Sequence, residues 1–435
     1  MKLFVIRFLS IAILFSLFNM EKTWAVGSAG YELGTNNARS LGKANAVVAD
    51  PENASTIADN PAGLTKLDGM QMSTSTTLIV PQFHYEGANG GIDEDASLTV
   101  LPVPSIFIST ATPVNKLKIG GGINSPFGLQ TKYSSTGSLR YTGYFNEIKN
   151  VAYNLSSAYE AAPWLSVGGG VTYMDGSFKQ VAKLNSNFIS TASGVPSTTL
   201  ADAPFELDVN GNGWGYDLGM LITPNEHHAI GVFYRSQIQI DYEGDLAVNN
   251  LQGAVMTAVF GGSSFNTSAA SDITFPASIT AGYKYSPNDK FDIELDATWT
   301  DWSSFDAIDI ALGTTNAVLN QLEPVNEDIN DTVSINIGIS YDINPTWTAT
   351  TGYFYYEMPA NKQNFSNAIP DGSRSGFTFG VNFNKSKFSI DISYIGEIVS
   401  SIDIDNAVGS TNGATVDGEY SGLIHIISIG VNYKF

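Results

Sequence analysis

Residues 424–435 read IHIISIGVNYKF, and this stretch decides the fold class. Its second part alternates strictly between apolar side chains and small or polar ones. Because successive side chains of a β-strand point to opposite faces, such a strand has one apolar face and one polar face. The apolar face carries Ile427, Ile429, Val431, Tyr433 and Phe435, opposite Ser428, Gly430, Asn432 and Lys434. A soluble half-buried strand shows this pattern once, so its recurrence elsewhere is the decisive question.

The same alternation recurs from about residue 70 onward, for example in residues 333–341. In residues 291–299 the polar set is Asp292, Glu294 and Asp296. A long series of amphipathic strands predicts an all-β protein, a transmembrane antiparallel β-barrel with lipid outside and a lumen inside. A basic side chain in the hydrocarbon midplane costs about 2–4 kcal/mol, and an acidic one somewhat less. We therefore expect the three acids to face the lumen.

Turn residues set the strand count. Pro, Asn, Asp and Gly mark six short turns, and seven longer polar segments alternate with them. The short turns are 112–115, 161–163, 223–226, 286–289, 343–345 and 384–386; the long segments lie near 87–97, 126–140, 181–206, 243–272, 304–329, 359–373 and 403–418. These connections predict a barrel of 14 strands over residues 70–435. An even count leaves both termini on the short-turn side, which is periplasmic in bacterial outer-membrane barrels.

Four tryptophans lie where aromatic girdles are expected. Trp164 and Trp347 adjoin short turns, whereas Trp299 and Trp302 adjoin a long segment. Because aromatic side chains collect at both membrane–water interfaces, all four are expected on the lipid side of the barrel.

Composition excludes several classes of function. The chain has 42 acidic and 21 basic residues, a net charge of −21, and no cysteine. Residues 1–25 hold three basic residues and one acidic residue, so the remainder has 18 against 41, or −23. Such a charge argues against nucleic acid and anionic membrane surfaces as partners. Without cysteine there is no disulfide or thiolate site. We expect neither a metal nor a cofactor.

The first residues read as a secretory signal. Lys2 and Arg7 precede an apolar run over residues 8–18, and residues 23–25 form an acceptable cleavage site. We therefore predict a signal peptide over residues 1–25. The alternative is a membrane anchor, but the run is shorter than the ~20 residues that span a bilayer.

Residues 26–69 differ from the rest, because they are rich in small and polar residues and lack strand alternation. Eight strands enclose a lumen that side chains fill, and sixteen to eighteen leave a channel, so a barrel of fourteen needs filling. We predict that residues 26–69 form an N-terminal plug, or hatch, of short helical segments inside the lumen. The alternative is a disordered periplasmic tail.

Three motifs in this segment resemble the plug of the FadL family of outer-membrane long-chain fatty acid transporters. They are GYELG at 30–34, GKANA at 42–46 and DNPAGL at 59–64. Later stretches resemble the same family in the same order: 124–129, 164–170, 231–236 and 276–280. The resemblance covers nearly all of the chain after residue 25. It implies a protein of the Gram-negative outer membrane.

The resemblance also implies a function. It implies uptake of a hydrophobic small molecule, a long-chain fatty acid or an aromatic hydrocarbon, through binding in the barrel, plug rearrangement and lateral exit through the wall. Its plug motif, Asn60, Pro61, Ala62 and Gly63, lies in that family against a kinked barrel strand. The implied partners are outer-membrane lipid and the barrel assembly machinery. We expect a monomer.

Early strands contain residues that weaken a β-ladder. Proline has no N–H to donate, and glycine lacks a side chain that stiffens a strand. We predict a lateral portal lined by Pro81 in the first strand, Pro102 and Pro104 in the second, and Gly120, Gly121 and Gly122 in the third. The alternative is simple tolerance of these residues near strand ends.

A fatty acid carboxylate needs a cation inside the barrel. Strand parity points Arg235, Arg374 and Lys118 inward, and Arg140 lies near the start of the fourth strand. These four are candidate carboxylate ligands. The alternative for each is an ion pair with a lumen acid.

Two other functions compete with transport of hydrophobic compounds. A general porin would have a water-filled pore that conducts ions steadily. A barrel hydrolase needs a nucleophile or activated water beside a base. The chain offers His84, His227, His228 and His425, none with a recognisable catalytic partner. We therefore expect no enzyme activity and no catalytic residue.

Overall fold

The computed structural model describes residues 32–435, except 306, 309, 315, 317–318, 320–324, 327–328 and 369. The predicted signal peptide and residues 26–31 lie outside the described part. Within it, fourteen antiparallel strands form a closed barrel, which confirms the predicted fold class. None of the described helices has the length and apolar character needed to cross a membrane.

The barrel strands are numbered β1 to β14 in chain order, and three of them are interrupted once. Their bounds are β1 Gln71–Gly87, β2 Leu101–Ala111, β3 Leu117–Asn124 with Gly128–Lys132, β4 Phe145–Ala162, β5 Leu165–Leu184, β6 Ala203–Asn225, β7 His228–Arg235 with Ile238–Val248, β8 Phe265–Phe275 with Ser278–Asn288, β9 Phe291–Thr300, β10 Thr332–Asn344, β11 Trp347–Tyr356, β12 Arg374–Lys385, β13 Phe388–Ile404 and β14 Gly418–Lys434. β14 pairs with β1 from Lys434 opposite Gln71 to Gly418 opposite Gly87, which closes the barrel.

Every predicted short turn and long segment overlaps the connection between two consecutive strands. Several strands run further than predicted, so β5 and β6 extend into the expected loop at 181–206. The expected loop at 126–140 also contains the second part of β3, Gly128–Lys132. Below, "lower" means toward the short turns and "upper" means toward the long loops.

The outer surface carries the predicted apolar set. Leu295, Ile335, Phe377 and Ile429 are exposed, whereas Glu294 is buried. The lipid-facing side chains were therefore predicted correctly from strand parity.

The prediction for the aromatic girdles was correct for three tryptophans and wrong for one. Trp164, Trp299 and Trp347 are exposed, but Trp302 is only 1% exposed. It lies in a short 3-10 helix, Trp302–Ser304, and packs into the core, because the chain has left the barrel wall at that point. Trp214, 67% exposed on β6, packs against Tyr173 of β5 with the ring centroids 4.9 Å apart.

The barrel wall is irregular between β2 and β3. Asn124 pairs with Ala152 and Gly128 with Lys149, so three residues of β3 face two of β4 and β3 contains one extra residue. The β2–β3 ladder ends at Ile106 opposite Ile123. Above it, in the described structure, residues 101–105 pair with β1 and not with β3.

At the top of this gap the Ser97 N–H donates to the Lys132 carbonyl at 2.6 Å. We call the unpaired region between residues 101–105 and Gly128–Lys132 the window. Residues 125–127, which contain the extra residue, turn from the window toward the lumen, where Phe127 is buried.

The segment before β1 lies inside the barrel. It contains helix α1, Ala38–Gly42, helix α2, Thr56–Asp59, and a 3-10 helix, Pro61–Lys66. Asn37 caps α1 by accepting from the Arg39 N–H at 2.7 Å, and Asn60 caps the 3-10 helix by accepting from the Ala62 N–H at 3.2 Å. Short helical segments were expected here, and residues 32–69 are called the plug below.

Candidate substrate path through the barrel

Glycines of the barrel wall mark where the plug backbone passes. A Cβ on Gly231 would overlap the Val48 carbonyl, and one on Gly168 would lie 2.5 Å from the Ala62 nitrogen. Eight inward glycines of β5 to β14 that meet the plug are here called the glycine belt: Gly168, Gly219, Gly231, Gly282, Gly338, Gly352, Gly380 and Gly430. Only glycine allows so close an approach of two backbones. Strand parity shows that these glycines point inward, but it gives no sign that another backbone lies against them.

The plug motif lies against this belt. The Asn60 side-chain amide donates to the carbonyls of Val48 at 2.8 Å and Met220 at 3.1 Å, which joins two parts of the plug to β6. Gly168 of β5 and Gly219 of β6 leave room for Asn60 and Ala62. The motif was expected against the kinked strand, but the closest fit of the motif is to β5 and β6.

The kinked strand meets another part of the plug. The Leu33 N–H donates to the Pro126 carbonyl at 2.7 Å, and Glu32 forms a β-bridge with Phe127. The extra residue of β3 is thus accommodated by pairing with the first residues of the plug.

Two of the predicted lumen acids hold the plug in place. Asp296 Oδ2 accepts from the backbone N–H groups of Val47 at 3.0 Å and Val48 at 3.2 Å, and Glu294 Oε1 accepts from the Ala49 N–H at 2.6 Å. Hydrogen bonds to a carboxylate are roughly twice as strong as neutral ones. Their inward direction was predicted, but their plug partners, about 250 positions away in sequence, were not.

A second contact is ionic. Asp50 of the plug accepts from Lys43 Nζ at 2.5 Å and from Lys284 Nζ of β8 at 2.5 Å. Burial alone would raise the pKa of Asp50, but the two ammonium groups outweigh it and hold that pKa below its usual range. The plug is therefore fixed to β8 by the ionised carboxylate of Asp50, which pairs with Lys284.

Above the plug the lumen becomes apolar. On β1 the inward side chains Ser73 and Ser75 are followed by Ile79 and Phe83. The same change occurs on most strands, and the buried upper set includes Leu101, Val103, Leu129, Ile148, Met174, Phe178, Leu207, Ile240, Ile273, Phe354, Ile395, Val399, Ile424 and Ile426. A porin has a polar interior instead. Sequence reasoning missed this feature because a strand that is apolar on both faces shows no alternation.

Two of the cavities in the described structure bear on the substrate path. The outer cavity, about 480 Å³, lies under the long loops and is lined by Phe205, Leu207 and Leu246 among other residues. The inner cavity, about 120 Å³, lies at the plug and includes Phe233 and Arg235. Ligand pockets commonly measure about 300–1,000 Å³. The outer cavity is in that range, and the inner one is too small for a long-chain ligand in this conformation.

Arg235 is the candidate cation that lines the inner cavity. Its Nη1 donates to Glu32 Oε1 at 3.1 Å. Asp59 and Asp217 are also near enough to interact with its charge. Burial raises the pKa of Asp59 to about 6, although a hydrogen bond from Asn36 and the charge of Arg235 act in the opposite direction. The predicted inward direction of Arg235 is correct.

The other three candidate cations have different surroundings. Arg374 is inward and buried, and it pairs with Asp371 at 2.9 Å and Glu397 at 3.4 Å. Lys118 donates to the Leu67 carbonyl at 2.9 Å. These two cations bind groups of the wall and the plug, and neither lines the inner cavity.

Arg140 was expected near the start of β4, but it lies in a loop helix, Ser138–Tyr141, before that strand. It pairs with Asp202 at 3.0 Å. The structure therefore does not bring the four candidate cations together.

The portal candidates surround the window. Pro102 and Pro104 lie in the part of β2 that has no β3 partner, and Pro81 lies just above the last β1–β2 pair, Ile79 with Leu101. The missing proline N–H groups fit an unpaired edge.

The glycines of β3 lie below the window. A Cβ on Gly120 would lie 2.6 Å from Ile57 of the plug, and one on Gly122 would overlap Phe107. Among the described residues, the nearest atom to a Cβ on Gly121 would be the Asn154 carbonyl oxygen, at 3.1 Å. Gly120 and Gly122 therefore make room for the plug and for Phe107, and a portal role for the six residues stays a prediction.

The histidines make local contacts. His84 hydrogen bonds with Asp95 on the surface, His227 with the Ser286 carbonyl, His228 with Tyr283 and His425 with Tyr394. In the described residues no group of three His, Asp or Glu side chains is arranged to hold a metal ion.

Residues 20–435 match the model of the outer membrane protein transport protein family (OMPP1/FadL/TodX). The chain belongs to this family. This confirms the resemblance seen in the plug motifs and places the barrel in the outer membrane. The family is one of transport proteins, so membership gives the hydrolase alternative no support.

Relatives match over most of their length. A putative outer membrane protein of Neisseria meningitidis serogroup B is 27% identical over 94% of this chain and 95% of its own. The long-chain fatty acid transport protein of Escherichia coli K12 is 25% identical over 85% and 88%.

Solved structures share the fold. A Pseudomonas aeruginosa FadL homologue superimposes with a TM-score of 0.83 at 18% identity, over 94% of this chain and 100% of that one. The Pseudomonas putida toluene transporter TodX gives 0.71 at 16%, over 94% and 99%.

Proposed function

We propose that this chain takes up hydrophobic compounds across the outer membrane, with long-chain fatty acids as its main substrates. The observation that carries the proposal is that the upper lumen, above the polar plug, is apolar, and that Arg235 lies where the apolar lumen meets the plug. This arrangement suits a molecule with a long apolar tail and one anionic end. A general porin would need the opposite lining.

Binding energy is adequate for capture. The outer cavity takes the ligand first, and the tail then lies among side chains such as Phe178 and Leu207. Each buried methylene contributes about 0.8 kcal/mol. Roughly ten of them give about 8 kcal/mol, which corresponds to micromolar affinity before the opposing entropy terms.

Release requires the plug to move and the wall to open. The inner cavity, about 120 Å³, is too small for the ligand, so the ligand advances only when the plug shifts. Residues 125–127 connect the plug to the window, which is an interruption of strand pairing in the barrel wall. We therefore propose exit through the window into the membrane, past Pro102 and Pro104.

A second substrate class follows from the relatives. One is named a toluene transporter, and a neutral aromatic hydrocarbon would use the apolar lumen without needing Arg235. The two classes differ in their dependence on that cation.

Arg235→Ala separates them. Loss of a hydrogen bond to a charged group costs about 1.5–3 kcal/mol, so oleate binding should weaken by roughly 10- to 150-fold, while methyl oleate and toluene bind as before. Binding to purified protein and uptake by cells lacking other such transporters are both measured. Lys290→Ala, which removes an exposed cation at a short turn that lines neither cavity, is the control.

Unchanged oleate binding in Arg235→Ala would remove the carboxylate assignment and favour neutral substrates. Steady single-channel conductance of the wild type without uptake of any of the three compounds would instead favour a general porin.

A further inference from the structure

Glu32 stands at the point where the plug, the cation and the window meet. Its Oε1 accepts from Arg235 Nη1 at 3.1 Å, and its side chain is about one quarter exposed. Among the described residues that line the inner cavity, Arg235 is the one with a basic side chain. A carboxylate from the protein itself thus lies where the head group of a fatty acid would bind.

The same residue is tied to the window. Glu32 forms the β-bridge with Phe127, and the next residue, Leu33, donates to the Pro126 carbonyl. Phe127 is buried and packs against Phe275 of β8 with the ring centroids 4.8 Å apart. Moving Glu32 away from Arg235 therefore pulls on the backbone that holds residues 125–127 in the lumen.

Because of their charge, Glu32 and a ligand carboxylate cannot bind Arg235 at the same time. Asp59 and Asp217 already lie close to Arg235. A ligand carboxylate that joined Glu32 on one guanidinium would place two anions side by side in a cavity of about 120 Å³. Like charges at such distances repel strongly where water is scarce. The ligand can occupy the position only when Glu32 leaves it.

We propose that Glu32 is a resident carboxylate, an internal stand-in for the substrate head group, which an incoming fatty acid displaces from Arg235 and thereby releases the plug from residues 125–127. The proposal rests on the proposed function and specifies its trigger. A carboxylate ligand opens the path, whereas a neutral ligand of equal length fills the lumen without doing so.

The first test is binding. Glu32→Gln removes the competing charge and keeps the shape of the side chain. A site that is free of Glu32 only part of the time has an apparent affinity reduced in proportion to that fraction. Oleate should therefore bind the variant about tenfold or more tightly. Glu32→Asp, which retains the charge, should stay near the wild type. Binding of methyl oleate should be the same in all three proteins.

The second test follows the plug directly. The chain has no cysteine, so Leu33→Cys with Pro126→Cys gives a single cross-linkable pair that reports their contact. Oxidation should cross-link this pair readily without ligand. Oleate should slow the reaction and methyl oleate should not. Ile106→Cys with Ile123→Cys, a ladder pair below the window, is the matched control and should ignore both ligands.

The outcomes separate the two proposals. Suppose that the wild-type protein binds and imports oleate. If Glu32→Gln then binds oleate no more tightly, or if the Leu33→Cys/Pro126→Cys pair cross-links at the same rate with and without oleate, the resident-carboxylate proposal is overturned and the proposed function stands. If the wild type neither binds nor imports oleate, the proposed function fails first.

Discussion

Replacing Gly231 by leucine is expected to turn the plugged barrel into a conducting pore. The new Cβ would overlap the Val48 carbonyl, and its next neighbours are the Val48 carbonyl carbon at 2.5 Å and the Ala49 nitrogen at 2.8 Å. All three are backbone atoms, so no flexible side chain is available to move aside. The plug must leave that side of the wall, and water then enters the lumen. Single-channel conductance in planar bilayers should rise well above the wild-type level.

The matched control is Gly169→Leu. Gly169 lies on the lipid-facing side of β5, where a Cβ would lie 3.1 Å from the Asp217 carbonyl and 3.3 Å from a flexible leucine side chain. Both variants should form barrels whose gel mobility changes on heating. A folded Gly231→Leu barrel with wild-type conductance would show that the glycine belt does not position the plug.

Deleting Pro126 is expected to abolish uptake. One residue fewer would restore equal numbers on β3 and β4 between Asn124 and Gly128, so the ladder would continue without interruption. The window would close while the outer cavity, which is remote from this strand, stays intact. Cells with the deletion should import oleate no faster than cells without the protein, although the purified variant still binds oleate.

Pro126→Ala is the control for this deletion, because it removes the proline and keeps the extra residue. It should support uptake close to the wild type. Wild-type uptake by a folded deletion variant would exclude exit through the window, and loss of oleate binding would show that the deletion damages capture rather than exit.

Strand parity predicted the parts of this molecule that repeat. Asp292, Glu294 and Asp296 were assigned to the lumen because a polar set that alternates with apolar residues has only one acceptable direction in a membrane. The turns could also be predicted, because Pro, Gly, Asn and Asp determine turn geometry through local effects on the backbone.

The parts that were missed do not alternate or do not act locally. The extra residue of β3 lies inside the polar segment 126–140, where a change of parity has no apolar set to reveal it. Trp302 has a girdle-like position in the sequence and yet packs inward, because the chain bends away from the wall after β9. The inward direction of Arg235 followed from its neighbours, but Glu32, 203 positions away, did not.

The glycine belt has a consequence for chimaeras of related proteins. Eight positions of the wall lack side chains where one particular backbone course runs past them. A plug grafted from a relative would fit only if its backbone lay against the same eight glycines. A wall grafted without its own plug would leave the space beside these glycines unfilled. Exchange of substrate preference between relatives should therefore succeed in the loops and upper strands, while hatch and lower wall have to be transferred as one unit.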